Sequence, residues 1–557
     1  MQKPCLLSWF LFFFLPQLSF SCQPDQRQSL LEFKNCLTQS IKNQSTTKIN
    51  LAGLKKWKQN SDCCKWKLVR CNAHSPSREV IELNLSSLVV SGSVSSSVLR
   101  PILRIISLEA LDVSSNFIQG EIPGDGFVNL TRLISLDMSD NAFNGSIPPS
   151  LFQPQNLSVL ALSRNNFTGK IPDTIGETSV IVLTLSENNL SGSVPKSISK
   201  NSRLMLLDLS KNRLSGEFPR FNLNSNLQLL DISFNEFSGD VPASFGSYTR
   251  FLKMDHNNFS GEFPQDFTTC PLKHLDLQDN KISGKFPSFI SRLFPALEVF
   301  IMRNNSLEGS IPEDISNLTG LKILDLSENN LDGPIPSSLG NLRAMSQSPI
   351  YVYYDFYTGP GFSVEMGEYL HIPDFVVNWK NSKQGIAHRN SHLYTILDLS
   401  KNSFFGEIPP SLGNLIRLKV LNLSHNNISG LIPQSFGDLE ELEVLDLSYN
   451  NLSGHIPQTF SKLGELTTLG LSHNKLSGII PKGPQLDRLN DPNIYAGNNN
   501  ICGEQIQVSC FTQAEQPEED KEENVEEDEE ETMFSWKAAV IGYPCGFLIA
   551  VLFMYLF

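Results

Sequence analysis

The sequence predicts an α/β-type repeat: a curved solenoid of stacked coils with parallel strands on its concave wall. Two observations predict it. An Asn recurs at 116, 141, 165, 188, 212, 235, 257, 280, 305 and 329, then at 402, 426, 450 and 474, spaced by 22 to 25 residues outside one gap. Each of these fourteen Asn is followed by a Pro seven residues later. Such a period marks stacked units, none of which can bury its apolar side alone.

The unit reads LxxLxLxxNxLxGxIPxxL, as in "LISLDMSDNAFNGSIPPSLFQ" from Leu133 and "LSVLALSRNNFTGKIPDTIGE" from Leu157. Its apolar residues alternate, as a short strand with one buried face requires. The turn after the strand leaves backbone groups inside the coil that need partners, and an Asn amide has the donors and acceptors to serve them. Gly allows the next bend, and Pro fixes φ and removes a donor. A weaker unit, "VIELNLSSLVVSGSV", precedes the series with Leu88 in the Asn slot.

These residues resemble the plant-specific leucine-rich repeat, and the chain resembles the leucine-rich-repeat receptor-like proteins of plants over nearly its whole length. The resemblance implies a right-handed solenoid, with "QRQSLLEFKNCL…WKQNSDCCKWKLVRC" and "YAGNNNICGEQIQVSC" as N- and C-terminal caps. It implies disulfides Cys22–Cys63, Cys64–Cys71 and Cys502–Cys510, leaving Cys36 and Cys270 over. The expected boundaries are a signal peptide at 1–21, the N-terminal cysteine cap at 22–79 and repeats at 80–342. An island insert follows at 343–392, more repeats at 393–481, the C-terminal cap at 482–512, an acidic spacer at 513–535 and a transmembrane helix at 536–557.

The ends point to export and anchoring. Lys3 precedes an apolar core from Leu6 to Leu15, with small Ser19 and Ser21 before Cys22, the pattern of a secretory leader. Ala538–Phe557 is apolar and, at 1.5 Å per residue, roughly 30 Å long, one hydrocarbon core. A lipid-anchor signal would need small residues upstream, where "EENVEEDEEETMF" has no small triplet. The family's short basic tail has no counterpart after the span, so membrane retention is weaker or the chain is shortened. Gly542 and Gly546 form G-x-x-x-G, which lets a second helix approach closely, although Pro544 loosens that turn.

Of the net charge of −14, residues 515–531 carry twelve acids against one lysine, a net of −11, so the rest carries only −3. No basic face suggests nucleic acid, and the acidic run reads as a self-repelling spacer, with a docking strip for a basic partner as the alternative. Export makes disulfides expected for the clustered cysteines, and CC-x6-C is not zinc-ligand spacing. Sequons stand at Asn43, Asn84, Asn129, Asn144, Asn156, Asn166, Asn189, Asn258, Asn304, Asn317, Asn422, Asn427 and Asn451. They are expected to be glycosylated mostly off the ligand face, with Asn304 on the concave wall.

Two surfaces are candidates for binding. The insert is crowded with aromatics, including Tyr351, Tyr353, Tyr354 and Trp379, too many for a disordered segment. Such residues pack a small core, and they also anchor interfaces. Most repeats carry D-x-S at the solvent-facing strand positions. The departures are Arg164, Phe234, Lys253, Asp255, His256, Gln278, Asp279 and Arg303, expected to be exposed on the concave wall.

No GxGxxG, GxxxxGK[ST], HExxH or GxSxG occurs, so no enzyme, metal or cofactor is expected. The resemblance implies a plasma-membrane receptor-like subunit that binds an extracellular peptide or protein and signals, in defence or development, through a partner receptor kinase. The alternatives are a decoy or structural subunit holding a co-receptor, and an inhibitor of microbial cell-wall-degrading enzymes.

Overall fold

The computed structural model describes residues 22–43, 48–74, 77–347, 374–380 and 382–510. The expected leader, acidic spacer and span lie outside them, as do Tyr351, Tyr353, Tyr354, Gly542 and Gly546. No helix among the described residues is long and apolar enough to cross a membrane.

The coils stack as the periodicity requires. One three-residue strand per coil joins a 16-stranded sheet, with matching residues of successive coils in register, as in Leu206↔Leu229↔Phe251. Its first member, Val69–Cys71, runs antiparallel to Val80–Asn84 and closes the sheet's N-terminal edge; all later neighbours are parallel. Inward positions are filled by Leu, Ile, Val, Phe and Met in one continuous core from the N-terminal cap to Ile501.

The predicted Asn ladder is present atom by atom. Asn212 Nδ2 donates to the carbonyls of Leu185, Leu209 and Ser210 at 2.9, 3.1 and 3.2 Å, while its Oδ1 accepts from Leu190 N–H at 3.0 Å. Each amide thus ties its own turn to the preceding coil. Asn498, within the C-terminal cap, adds a rung of the same kind to Leu471 O and Leu476 N–H.

The segment after the Asn is also paired. It forms further parallel strands, eleven in one sheet and five in another, on the flank that follows the concave strand. The repeat Gly sits there with positive φ, as at Gly145 (φ +74), where a Cβ would collide with Glu121 of the coil before. In most coils the Pro then caps a 3-10 turn, as Pro172 does for Asp173–Glu177, while Ile290–Leu293 and Arg343–Ser346 are single α-helical turns.

The caps follow the resemblance. Helix Pro24–Asn43 covers the first coil, where Gln26 binds Ser107 Oγ and Val80 N–H, both at 2.8 Å. Trp57 and Trp66 stack beside it at 5.2 Å. All three implied disulfides form: Cys22–Cys63, Cys64–Cys71 and Cys502–Cys510. Cys36 and Cys270 are free, and burial pushes the Cys270 thiol up to about 12, which makes it unreactive.

Asn212→Ala is expected to cost about 3 kcal/mol, because it strands buried backbone groups on two coils. Hydrogen exchange should show the Leu190 amide losing protection first, with coils distant from Asn212 unchanged.

Candidate functional site

The concave wall is the candidate site, because there the coils stop repeating. The strand's two-residue alternation turns positions such as Asp231 and Ser233 outward. In a regular coil the Asp is neutralised locally: Asp231 Oδ1 accepts from Ser233 N–H at 2.9 Å and Ser233 Oγ at 2.6 Å. Asp325, Asp398 and Asp446 repeat this contact.

Between residues 251 and 303 the pattern breaks. Lys253 stands in the Asp row between Asp231 and Asp276, with Asp255, two residues on, 3.7 Å away. Burial works against the Lys253 charge, yet Asp255, Asp231, Asp276 and Asp208 outweigh it and hold the ammonium above its ordinary range. Arg303 reaches Gln278 through Nη2 and lies 3.5 Å from Asp325 Oδ2. Asp255 Oδ1 and Arg303 Nη1 are buried without hydrogen bonds. The expectation of exposure is therefore corrected for Asp255, Gln278 and Arg303, at 2%, 0% and 2% exposed, and for the largely covered Lys253.

Part of the insert also packs on the concave wall. Residues Phe375–Trp379 and Ser382–Ile386 form an antiparallel hairpin lying on the concave sheet. Phe375, Val377, Trp379 and Ile386 pack against Val299, Ile301, Ile323, Ile396, Val420 and Val444. Those outward positions are apolar in these coils, so the wall was built to seat the hairpin. Phe375 meets His274 edge-on at 5.3 Å, Trp379 meets Tyr394 edge-on at 5.3 Å, and Lys380 pairs with Glu443 at 3.3 Å. Trp379, expected as a ligand anchor, is buried as a hairpin anchor instead. A second apolar group, including Val159, Val182, Leu206, Leu229 and Phe251, lines the wall upstream.

Arg164, Phe234, His256 and Asp279 are not on strands. Each is the residue before a ladder Asn, and that residue has φ between +52 and +56 in every coil from Ser115 to His473. This left-handed turn projects a column of side chains along the rim. Phe234 stacks on His256 at 4.0 Å, and the His256 ring nitrogens face Asp255 and Asp279 at 2.9 and 3.0 Å. Arg164 pairs with Asp140 at 2.6 Å. The same column carries a ring stack that the sequence reading passed over, His425–Tyr449–His473, at 4.2 and 4.1 Å. Its signal was available: the residue just before the repeat Asn.

Sequon placement is also set by these columns. Asn304 is exposed on the rim, where it donates to Asp279 at 2.6 Å, rather than on the wall. Asn166, Asn189, Asn258, Asn427 and Asn451 open strands of the lateral sheets. Asn84 and Asn422 are the sequon asparagines on concave strands, and Asn422 Nδ2 is engaged by Asp398 at 3.2 Å.

Leucine rich repeat models match residues 270–331, 392–452 and 416–476, and a leucine rich repeat N-terminal domain matches residues 23–72. Receptor-like protein 46 of Arabidopsis thaliana is 46% identical over 809 residues, covering 100% of this chain and 99% of the relative. Among solved structures, the ectodomain of the Arabidopsis thaliana receptor kinase GASSHO1/SCHENGEN3, in complex with CASPARIAN STRIP INTEGRITY FACTOR 2, is 27% identical. It aligns with TM-score 0.55 over 75% of this chain and 50% of that one. The plant peptide hormone receptor RGFR1 in complex with RGF2 aligns with TM-score 0.53 and 26% identity, over 79% and 71%.

Trp379→Ala should free the hairpin while leaving the coils stacked. Trypsin cleavage at Lys380 and Lys383 should rise strongly, with little change in the urea midpoint of the solenoid.

Burial first, then Asp208 and Asp255, push Asp231 up to about 7 against Lys253; burial first, then Asp325, push Asp398 up to about 7. An unfolded Asp titrates at about 4, so these groups hold protons in the folded state that the unfolded chain lacks. Their stabilising contribution is complete below about pH 4 and is lost as pH rises through about 7. Urea midpoints should therefore fall over that window in the native chain and fall less in Asp398→Asn.

Proposed function

The chain belongs to the plant leucine-rich-repeat receptor-like proteins, and on that premise we propose that it is a cell-surface receptor subunit for an extracellular peptide. The observation that carries this reading is the hairpin-bearing stretch of concave wall, where the repeat gives way to Lys253, Asp255, Gln278 and Arg303. A periodic wall offers the same chemistry at every coil. A wall interrupted by a seated hairpin and a unique charged network offers one address. One ectodomain of the same fold, RGFR1, is a peptide hormone receptor in complex with RGF2, which supports a peptide over a small molecule.

Phe234 and His256, on the rim beside the buried network, are the best placed of the proposed contact residues. The buried Asp255, Gln278 and Arg303 act by holding that rim in shape. The insert's Tyr351, Tyr353 and Tyr354 are proposed contacts on aromatic chemistry alone. A leader at 1–21, glycosylation of the lateral-sheet sequons, the acidic spacer and a single span would place the solenoid outside the cell.

Signalling then depends on a partner. The span would pair through Gly542 and Gly546 with a receptor kinase, whose cytosolic domain performs the phosphotransfer. A decoy that occupies the kinase without signalling is the second reading. Both predict capture of a kinase from plant membranes, and only the first predicts a rise in its phosphorylation when ligand is added. Replacing Gly542 and Gly546 by Leu in the full chain should cut co-precipitated kinase at least about fivefold, since the two bulkier side chains prevent close helix approach. An unchanged yield would remove the proposed helix pairing.

A further inference from the structure

The hairpin on the concave wall has one strand buried and one strand bare. Its inner strand, Phe375–Trp379, is anchored by Phe375, Val377 and Trp379. Of the outer strand, Ser382 through Gly385 are exposed and only Ile386 is buried. Among the described residues the sheet contains no third strand.

The register shows which backbone groups the outer strand leaves unused. Trp379 pairs with Ser382 across a two-residue connection, so that pair exchanges hydrogen bonds, as do Val377↔Gln384 and Phe375↔Ile386. The N–H and C=O groups of Lys383 and Gly385 therefore point away from the inner strand. Neither has a backbone partner among the described residues. The five-pair register has no bulge, and the strand has no Pro, the usual devices that blunt an edge. Nothing lies within 4 Å of where a Gly385 side chain would be.

From this geometry we infer that the edge Ser382–Ile386 receives an extended peptide as a third strand of the hairpin, with an acidic peptide side chain beside Lys383. This rests on the peptide-receptor reading and adds where and how the peptide binds. Main-chain pairing supplies affinity that is indifferent to side chains, and the outer face supplies selection. Lys383 is the charge on that face. Lys380 is held by Glu443, whereas Lys383 has no carboxylate partner among the described residues. Lys383 thus repels basic strands and attracts acidic ones. The edge is already ordered by its buried partner strand, so little is lost in fixing it when the peptide arrives.

The test uses the full chain in detergent and three fluorescein-labelled hexapeptides. The first is Thr-Asp-Val-Asp-Val-Thr. The second has Lys in place of Asp. The third is the acidic peptide N-methylated at alternate amides. The acidic peptide should bind saturably by fluorescence anisotropy, and the other two at least about tenfold more weakly. Gly385→Pro deletes one outward donor at an edge position that tolerates Pro, and should weaken binding by about tenfold. Gly385→Ala should bind as the native chain does, and Lys383→Glu should reverse the preference to the lysine peptide. Trypsin resistance at Lys380 verifies that each variant keeps its hairpin. Binding that ignores N-methylation and Gly385→Pro would overturn the edge while leaving the receptor reading intact. Absence of saturable binding, with kinase capture retained, would do the same. Self-association abolished by Gly385→Pro, in place of peptide binding, would assign the edge to a second copy of the chain.

Discussion

One interaction underlies the rest of the structure: the side-chain amide of an Asn bound to main-chain groups of two neighbouring coils. Stacked coils bury apolar side chains easily, but they also bury the backbone that turns between strands. Such groups cost heavily if left unpaired. Asn212, with three carbonyls and one N–H around it, shows how fully one side chain meets that demand. Because each rung ties its coil to the one before, neighbouring coils are coupled along the whole length of the continuous apolar core.

The ladder has a second consequence. To bring the Asn inside, the preceding residue must take the left-handed turn, and its side chain is thrown out to the rim. That strain is repeated in every coil and offset by the buried amide. The rim becomes a column whose members touch their counterparts in adjacent coils: Lys211 with Glu187, Phe234 with His256, Tyr449 with two histidines. None of its members is β-branched, as the left-handed conformation demands. The structural rule that builds the scaffold thereby writes a readable, variable surface beside the concave wall.

The wall itself shows how a repeat acquires an address. Apolar replacements at Val299, Ile301, Ile323, Ile396, Val420 and Val444 make a seat, and Phe375, Val377 and Trp379 fill it. Next to the seat, a lysine enters the acid row and an arginine reaches over two carboxylates. Burial pushes Asp231 up to about 7 there, with Lys253 opposing the rise and Asp208 and Asp255 adding to it.

The sequence alone determined the coil, because period, alternation, Asn, Gly and Pro each act within one or two turns of chain. Through the family resemblance it also implied the cap disulfides that the structure bears out. The sequence did not reveal which departures from the repeat face water. Asp255, Gln278, Arg303 and Trp379 read as exposed binding residues and are buried, because contacts between residues far apart in sequence, such as Arg303 with Gln278 and Trp379 with Tyr394, decide their exposure. It did not reveal the lateral sheets either, since a strand of four or five residues with a Gly at or next to its end has no strand-like pattern until its neighbour pairs with it. Exposure and pairing are properties of the assembled stack, and only the tertiary structure decides them.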